Sequence, residues 1–414
     1  MAHTGLESQS VALRRNRDFV LLQAGRLFSS LGTQSTSIAY PLLVLAVTHS
    51  AAKAGIVGFA RSLPTLMWAL PAGLAADQVS RKRLMIAADL LGLAAVGSLG
   101  AMVLTHLVTF WIIPVIAFAE GTGFTIFGAA QAGALRAVVP VQQLPAAAGA
   151  ESGRRAAVQL AGPPLGGVLF GIIRGLPFLV DAGSYLASTA SLLAMRTPFQ
   201  EQRPSQVDQT RLGPRLAEGF RFIWAHPFLR VSALLFGLAN FIGPGLLLCL
   251  VVVGRRQGLS PGAVSGLVAA FGACLLAGSF LSGLVRRLLP VRAVMLLELW
   301  TWTSCAAFLI WPSVYLLTAA MLPTALAIPS TDSVVHGYRV AMTPDHLLGR
   351  SESARSLLSS AITPLGPLVA GFLLDTSARA AIAVFAAAAL VLALWGSVSP
   401  GLRAAPSLAD LRSA

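Results

Sequence analysis

Long apolar runs, each closed by a short polar or basic segment, repeat along almost the whole chain. Twelve can be drawn, near residues 19–47, 54–76, 84–106, 108–134, 156–173, 176–195, 231–253, 262–285, 291–311, 313–335, 357–374 and 380–399. Each approaches or exceeds the roughly 20 apolar residues that a helix needs to cross a bilayer. Backbone in hydrocarbon must satisfy its own hydrogen bonds, so the pattern predicts an all-α membrane protein of twelve transmembrane helices. The longest polar stretch, 197–230, divides them into two sets of six. The predicted organisation is an N-terminal bundle over 1–196, a cytoplasmic linker over 197–230, and a C-terminal bundle with a short cytoplasmic tail over 231–414. Within the linker, Leu212, Leu216, Phe220 and Ile223 recur at helical spacing against Arg211, Arg215, Glu218 and Arg221. That spacing predicts an amphipathic helix lying on the inner leaflet.

Composition agrees. Of the 414 residues only 11% are charged and the mean hydropathy is +0.75, too little polar surface to cover a soluble globule. The segment before the first run is polar and basic, so the first helix is expected to act as its own insertion signal. The net charge of +14 would suit a nucleic-acid binder if the basic residues clustered on one face. They alternate instead. With the N-terminus in the cytoplasm, 23 of the 30 basic residues fall in inner segments and five in outer ones, namely Lys53, Arg174, Arg255, Arg256 and Arg379. This asymmetry obeys the positive-inside rule, places both termini in the cytoplasm, and argues against nucleic acid. Cys249, Cys274 and Cys305 lie in or near apolar runs at spacings that fit neither a disulfide framework nor a zinc site. Neither Lys53 nor Lys82 ends a phosphate-binding glycine loop, and no HExxH, GxSxG or Cys/His cluster occurs. An ATP-driven pump and a membrane enzyme are thereby disfavoured, and no cofactor is expected beyond a proton gradient as energy source.

The two halves echo each other. ALRAVVPVQQLP (134–145) aligns with GYRVAMTPDHLL (337–348), placing Arg136 on Arg339, while PLG recurs at 164–166 and 364–366 with Arg155 on Arg355. Such duplication suits two bundles that enclose a site at the membrane midplane and rock about it.

Charges inside spans are costly and default to functional hypotheses. The candidates are Arg26 in the first run, Arg61 in the second, Glu120 in the fourth and Asp332 in the tenth, with Asp89 and Glu298 nearer the inner boundary. Glu120 lies about 12 residues into its run, roughly 18 Å along a helix and so near the midplane. Two readings stand for it: a proton carrier between the two states, or the partner of Arg26 in a structural ion pair. Asp332 is either functional or satisfied by neighbouring Ser330, Thr331 and Ser333. Gln34, Gln131 and Asn240 could line a cavity, with Phe124, Phe127, Phe236, Trp300 and Trp302 as an aromatic wall. Asp181 and Asp375 sit near outer run ends and read as helix-end or loop residues.

Over 11–400 the chain resembles the major facilitator superfamily, and most nearly its bacterial exporter branch that includes enterobactin and macrolide efflux proteins, whose first helix reads like RNRDFVLLQAGRLFSSLG (15–32). GLAADQVSRKR (73–83) is similar to the family's loop between spans two and three through Gly73, Asp77, Arg81 and Lys82, while Gln78 and Ser80 depart from it. The resemblance implies a cytoplasmic gate in which Asp77 meets the start of span eleven, or Arg136, only while that side is closed. The second-half counterpart carries Arg287 where the aspartate would stand, so a one-sided latch is expected. AGPPLGG (161–167) is similar to the family's antiporter motif through Gly162, Pro163, Gly166 and Gly167. EGTGF (120–124) resembles the span-four motif, with Ala117 in place of the usual arginine and Glu120 in place of the usual glutamine. The implied protein is a monomeric exporter of a small lipophilic or amphipathic compound, working by alternating access and proton antiport in the bacterial cytoplasmic membrane. An uptake or facilitative transporter, and a non-transporting sensor or scaffold, are the alternatives.

Overall fold

The computed structural model describes residues 13–197, 199 and 212–403, and among them there is no β-strand. The first half comprises α1 (Arg17–Thr48), α2 (Ala51–Gln78), α3 (Arg81–Leu104), α4 (Ile112–Val138), α5 (Leu144–Ile172) and α6 (Leu176–Ala194). After α7 (Leu212–Ala225), the second half comprises α8 (Pro227–Arg256), α9 (Pro261–Leu288), α10 (Val291–Trp302), α11 (Ala307–Ile310), α12 (Val314–Met342), α13 (Asp345–Ile362), α14 (Leu365–Thr376), α15 (Ala378–Val398) and α16 (Pro400–Arg403). Side chains in the polar gaps start several helices: Asn16, Ser50, Ser260 and Ser377 each accept from a backbone N–H of the first turn that follows.

Two predicted spans are not single helices. The ninth is α10, a 3-10 turn over Thr303–Ala306, and α11. The eleventh breaks at Thr363–Pro364 into α13 and α14, because a proline offers no N–H and crowds the carbonyl of the preceding turn. Among the described residues, eight helical stretches are long and apolar enough to cross a membrane by length and composition. The helices α1, α2, α5 and α6 are outside that set. All four carry polar side chains that face the protein interior rather than lipid, as the next subsection shows.

Within the first half α1 packs on α5 and α6, α4 on α2 and α3, and α3 on α6; within the second α9 packs on α12, and α8 on α14 and α15. The halves meet chiefly through α5 with α9 and α2 with α14. Both contacts lie at the end of the molecule opposite the chain termini. Gly167 of AGPPLGG makes the approach of α9 possible, since a Cβ there would run into Ser265 and the Pro261 carbonyl, while a Cβ on Gly166 would meet the Ser35 carbonyl of α1 within the first half. Gly171, one turn on, has open space. Gly167→Val is therefore expected to destabilise by about 1–3 kcal/mol and to lower the thermal midpoint in detergent, while Gly171→Val should leave it unchanged.

The amphipathic linker helix exists as α7, and one side of it docks on α13. Ile223 is buried, Gly219 sits against the Arg350 backbone of α13, and Glu218 pairs with Arg350, while Trp224 is exposed. One pairing of the internal repeat shifts by one residue. Glu151 pairs with Arg154 at 2.6 Å on α5, and Glu352 pairs with Arg355 at 2.7 Å on α13, so Arg154 rather than Arg155 is the counterpart of Arg355.

Candidate functional site

The core of the first half holds a polar network built by α1, α2, α4 and α6. The glycines of EGTGF bring α4 close to its neighbours: a Cβ on Gly121 would strike the Arg61 carbonyl of α2, and one on Gly123 would press on the Ala88 carbonyl of α3. That approach sets Glu120 beside Arg61. Arg61 Nη2 donates to Glu120 Oε1 at 3.0 Å and to the Thr33 carbonyl at 3.0 Å, and its guanidinium lies 5.5 Å from the Tyr40 ring centre. Glu120 is 1% exposed. Thr36 Oγ1 stands 3.4 Å from Glu120 Oε1 and 3.1 Å from Asp181 Oδ2. Ser184 Oγ lies 3.1 Å from Asp181 Oδ1, and the Thr33 and Tyr185 hydroxyls are 3.1 Å apart.

This arrangement corrects the expected Arg26 partnership of Glu120. Glu120 faces Thr36, ten residues beyond Arg26 and so about 15 Å further along α1. Asp181 is corrected too: it is fully buried and belongs to the network, not to a helix end. Its signal was present in the spacing of Asp181, Ser184, Tyr185 and Ser188, a polar stripe at helical period down α6. Thr33, Thr36, Tyr40 and Tyr185 are further members, uncharged and so inconspicuous in the sequence.

Three cavities adjoin the network. One of about 230 Å³ is edged by Arg61, Glu120 and Phe124 with Ser360 and Thr363 of the second half. One of about 300 Å³ lies between the halves, with Tyr40, Arg61 and Gln159 on one side and Pro244, Phe271 and Pro367 on the other. A third, about 530 Å³, runs from Gln34 toward the end that bears the chain termini, past Arg26, Gln131 and Arg154. Gln34 borders all three. Pro163 of the antiporter motif lines the inter-half cavity, and Gly162 packs on Gln34.

Other candidates stand elsewhere. Asn240 is exposed, donates to the Phe236 carbonyl of its own helix at 2.9 Å, and lines none of the three cavities. Asp332 is exposed on α12, away from the Arg61 network, and among the described residues it makes no hydrogen bond with Ser330, Thr331 or Ser333. Of the expected aromatic wall, Phe124 lines two of the three cavities, while Phe127 and Trp302 are buried, Phe236 packs against the core, and Trp300 bonds to Ser397 at 3.1 Å. Phe271, which lines the inter-half cavity, was missed.

At the terminus-bearing end, the side chains of Asp77 and Arg136 lie outside the described residues. Gly73 has open space at its Cβ position. Lys82 Nζ donates to the Met195 carbonyl at 2.8 Å and Arg81 Nη1 to the Phe199 carbonyl at 3.4 Å, so the described contacts of this basic cluster tie α3 to the exit of α6 within one half. At the opposite end, Asp375 of α14 was expected to be a loop or helix-end residue. It accepts from Ser50 Oγ at 2.7 Å, Ala51 N at 2.7 Å and Ala52 N at 3.2 Å, so a carboxylate of the second half caps α2 of the first.

A family model described as transmembrane secretion effector matches residues 8–410. The multidrug efflux pump Tap of Mycolicibacterium fortuitum is 27% identical over 416 residues, covering 92% of this chain and 94% of that one. Among solved structures, a bacterial homologue of the iron transporter ferroportin in an inward-facing state matches with a TM-score of 0.72 at 15% identity, covering 94% of this chain and 99% of that one. A bacterial homologue of the human lysosomal transporter Spinster, inward-facing and unoccupied, matches with a TM-score of 0.71 at 15% identity, over 94% and 96% of the respective chains.

Proposed function

Because the chain belongs to the transmembrane secretion effector family of major facilitator transporters, we propose that it exports small lipophilic or amphipathic compounds, drugs among them, by alternating access coupled to proton entry. The observation that carries this reading is the cavity between the halves, largely apolar, edged by Arg61, the ion-pair partner of Glu120, and closed at the end away from the termini. An apolar chamber with a few convergent polar groups suits a lipophilic guest. With both termini cytoplasmic, as the basic residues favour, the closed end is external and the open vestibule faces the cytoplasm. The named relative, an efflux pump, supports that direction of travel.

The proton path follows from charge. Two buried carboxylates, Glu120 and Asp181, stand within reach of one threonine hydroxyl, and the Arg61 guanidinium is ion-paired with Glu120. A single hydroxyl proton can serve only one of them, and one positive charge balances only one negative, so one further proton completes the network. Release of that proton inward, with reloading from outside after the halves rock, would drive antiport. The transporter acts as a monomer in the bacterial cytoplasmic membrane.

Ethidium accumulation in bacteria expressing the protein tests the reading. Expected is low accumulation that a protonophore raises to the level of the vector control, with Glu120→Gln behaving as the vector. Efflux that persists under the protonophore would sink antiport. No efflux across a chemically varied panel would sink export.

A further inference from the structure

Arg26 stands in the vestibule outside the proton network. It lies on α1, half-buried, on the wall of the 530 Å³ cavity. The rings of Phe127 and Phe124, at 4.7 and 5.7 Å from its guanidinium carbon, cover it by cation–π contact. Its Nε is buried without a hydrogen-bond partner, and among the described residues none of its nitrogens has an acceptor. The neighbouring guanidiniums differ. Arg154 donates to Gln23, Ser30, Glu151 and the Arg26 carbonyl, and Arg155 lies 3.8 Å from Glu151. Asp89 of α3 attracts Arg26 at longer range but forms no ion pair with it. The cavity lining thus sets three guanidiniums against one carboxylate, and the unspent donors are those of Arg26.

An unpaired buried donor is costly, and a guanidinium covered on its faces keeps its edge N–H groups for a planar oxyanion. Half-exposed Phe124 offers an apolar platform beside them. We propose that Arg26 is an anion-recognition site, and that the exported compounds it selects are amphipathic acids: an apolar body resting on Phe124 with a carboxylate or equivalent oxyanion on Arg26. The proposal rests on the exporter reading and narrows it to a substrate class.

Rhodamine 19, a free carboxylic acid, and rhodamine 6G, built on the same ring system with that acid as an ethyl ester, isolate the carboxylate. Their binding to the purified full chain in phosphatidylcholine nanodiscs can be followed by fluorescence anisotropy. The acid is expected to bind about tenfold more tightly than the ester, the worth of one charge-assisted hydrogen-bonded contact. Arg26→Gln should bring the two dyes within about twofold of each other, and Arg26→Lys, a point charge without the fork, should keep an intermediate preference. Retained preference in Arg26→Lys also shows that loss in Arg26→Gln is not misfolding. Equal or weaker binding of the acid, no binding of either dye, or a preference that survives Arg26→Gln would overturn the proposal. So would its loss when phosphatidylglycerol replaces part of the lipid, since Arg26 would then serve a lipid phosphate. Export is read separately in cells: absence of efflux with the binding preference intact strikes the exporter reading and leaves the anion site standing.

Discussion

Arg61→Gln should abolish transport and lower the thermal midpoint more than any other single change in the first half. Arg61 is the charge partner of Glu120, which is 1% exposed, and it also satisfies the Thr33 carbonyl. Removing one member of a buried pair leaves the other uncompensated and costs about 3–5 kcal/mol. Here Asp181, reached through Thr36, adds a second carboxylate to the stranded site. The double variant Arg61→Gln with Glu120→Gln distinguishes the two readings of the pair. A neutral amide pair can hydrogen-bond across the same gap, so most of the lost thermal stability should return. Transport should not return if the pair is part of the proton path. Recovery of both in a dye-efflux assay would reduce Arg61 and Glu120 to a structural ion pair, whereas recovery of stability alone assigns them to the transport cycle.

The membrane architecture was legible because hydrocarbon imposes one rule on every span, and twelve apolar runs answer it. The same rule hid the site. A polar residue in a run is conspicuous when charged, which is why Arg61 and Glu120 could be singled out, but which charges meet depends on helix rotation and close approach. Gly121 against the Arg61 carbonyl decides that Glu120 faces α2, and nothing in the spacing of Arg26, Arg61 and Glu120 could have chosen between two arginines. Distance from a run end makes Asp181 look like a helix-end residue; the stripe down α6 through Ser184, Tyr185 and Ser188 is the better signal. Asn240 misled for the opposite reason. A lone amide on a span can bond to its own helix, and it does so to Phe236. The break at Pro364 was readable from the proline, yet apolar length alone merged α13 and α14 into one run.

The second large effect is expected at the other end of the molecule. Asp375→Ala should open the end that is closed in this structure. The carboxylate accepts from two backbone N–H groups and a hydroxyl at the start of α2, and Arg256 of α8 holds it from behind, 3.7 Å from Oδ1 and 2.6 Å from the Leu374 carbonyl. All three acceptances cross from one half to the other, so they exist only while these ends are together. A contact made in one state and lost in the other biases the equilibrium by its own free energy. Charge-assisted bonds contribute about 1.5–3 kcal/mol each when shielded, and partial exposure of Asp375 argues for a smaller net value. A loss of about 2 kcal/mol would shift the two states roughly thirtyfold. Spin labels on Arg174→Cys and Arg379→Cys, exposed positions on opposite halves at this end, report the change once Cys249, Cys274 and Cys305 are replaced by alanine. Pulsed electron–electron distance measurements should show one short population in the parent and a growing long population in Asp375→Ala, with Asp375→Asn between them because its amide oxygen still accepts. Identical distance distributions in all three would mean that glycine packing of α5 on α9 and α2 on α14 holds the end shut alone. A shift would give the transporter a latch supplied by the second half, at the end where α14 meets α2.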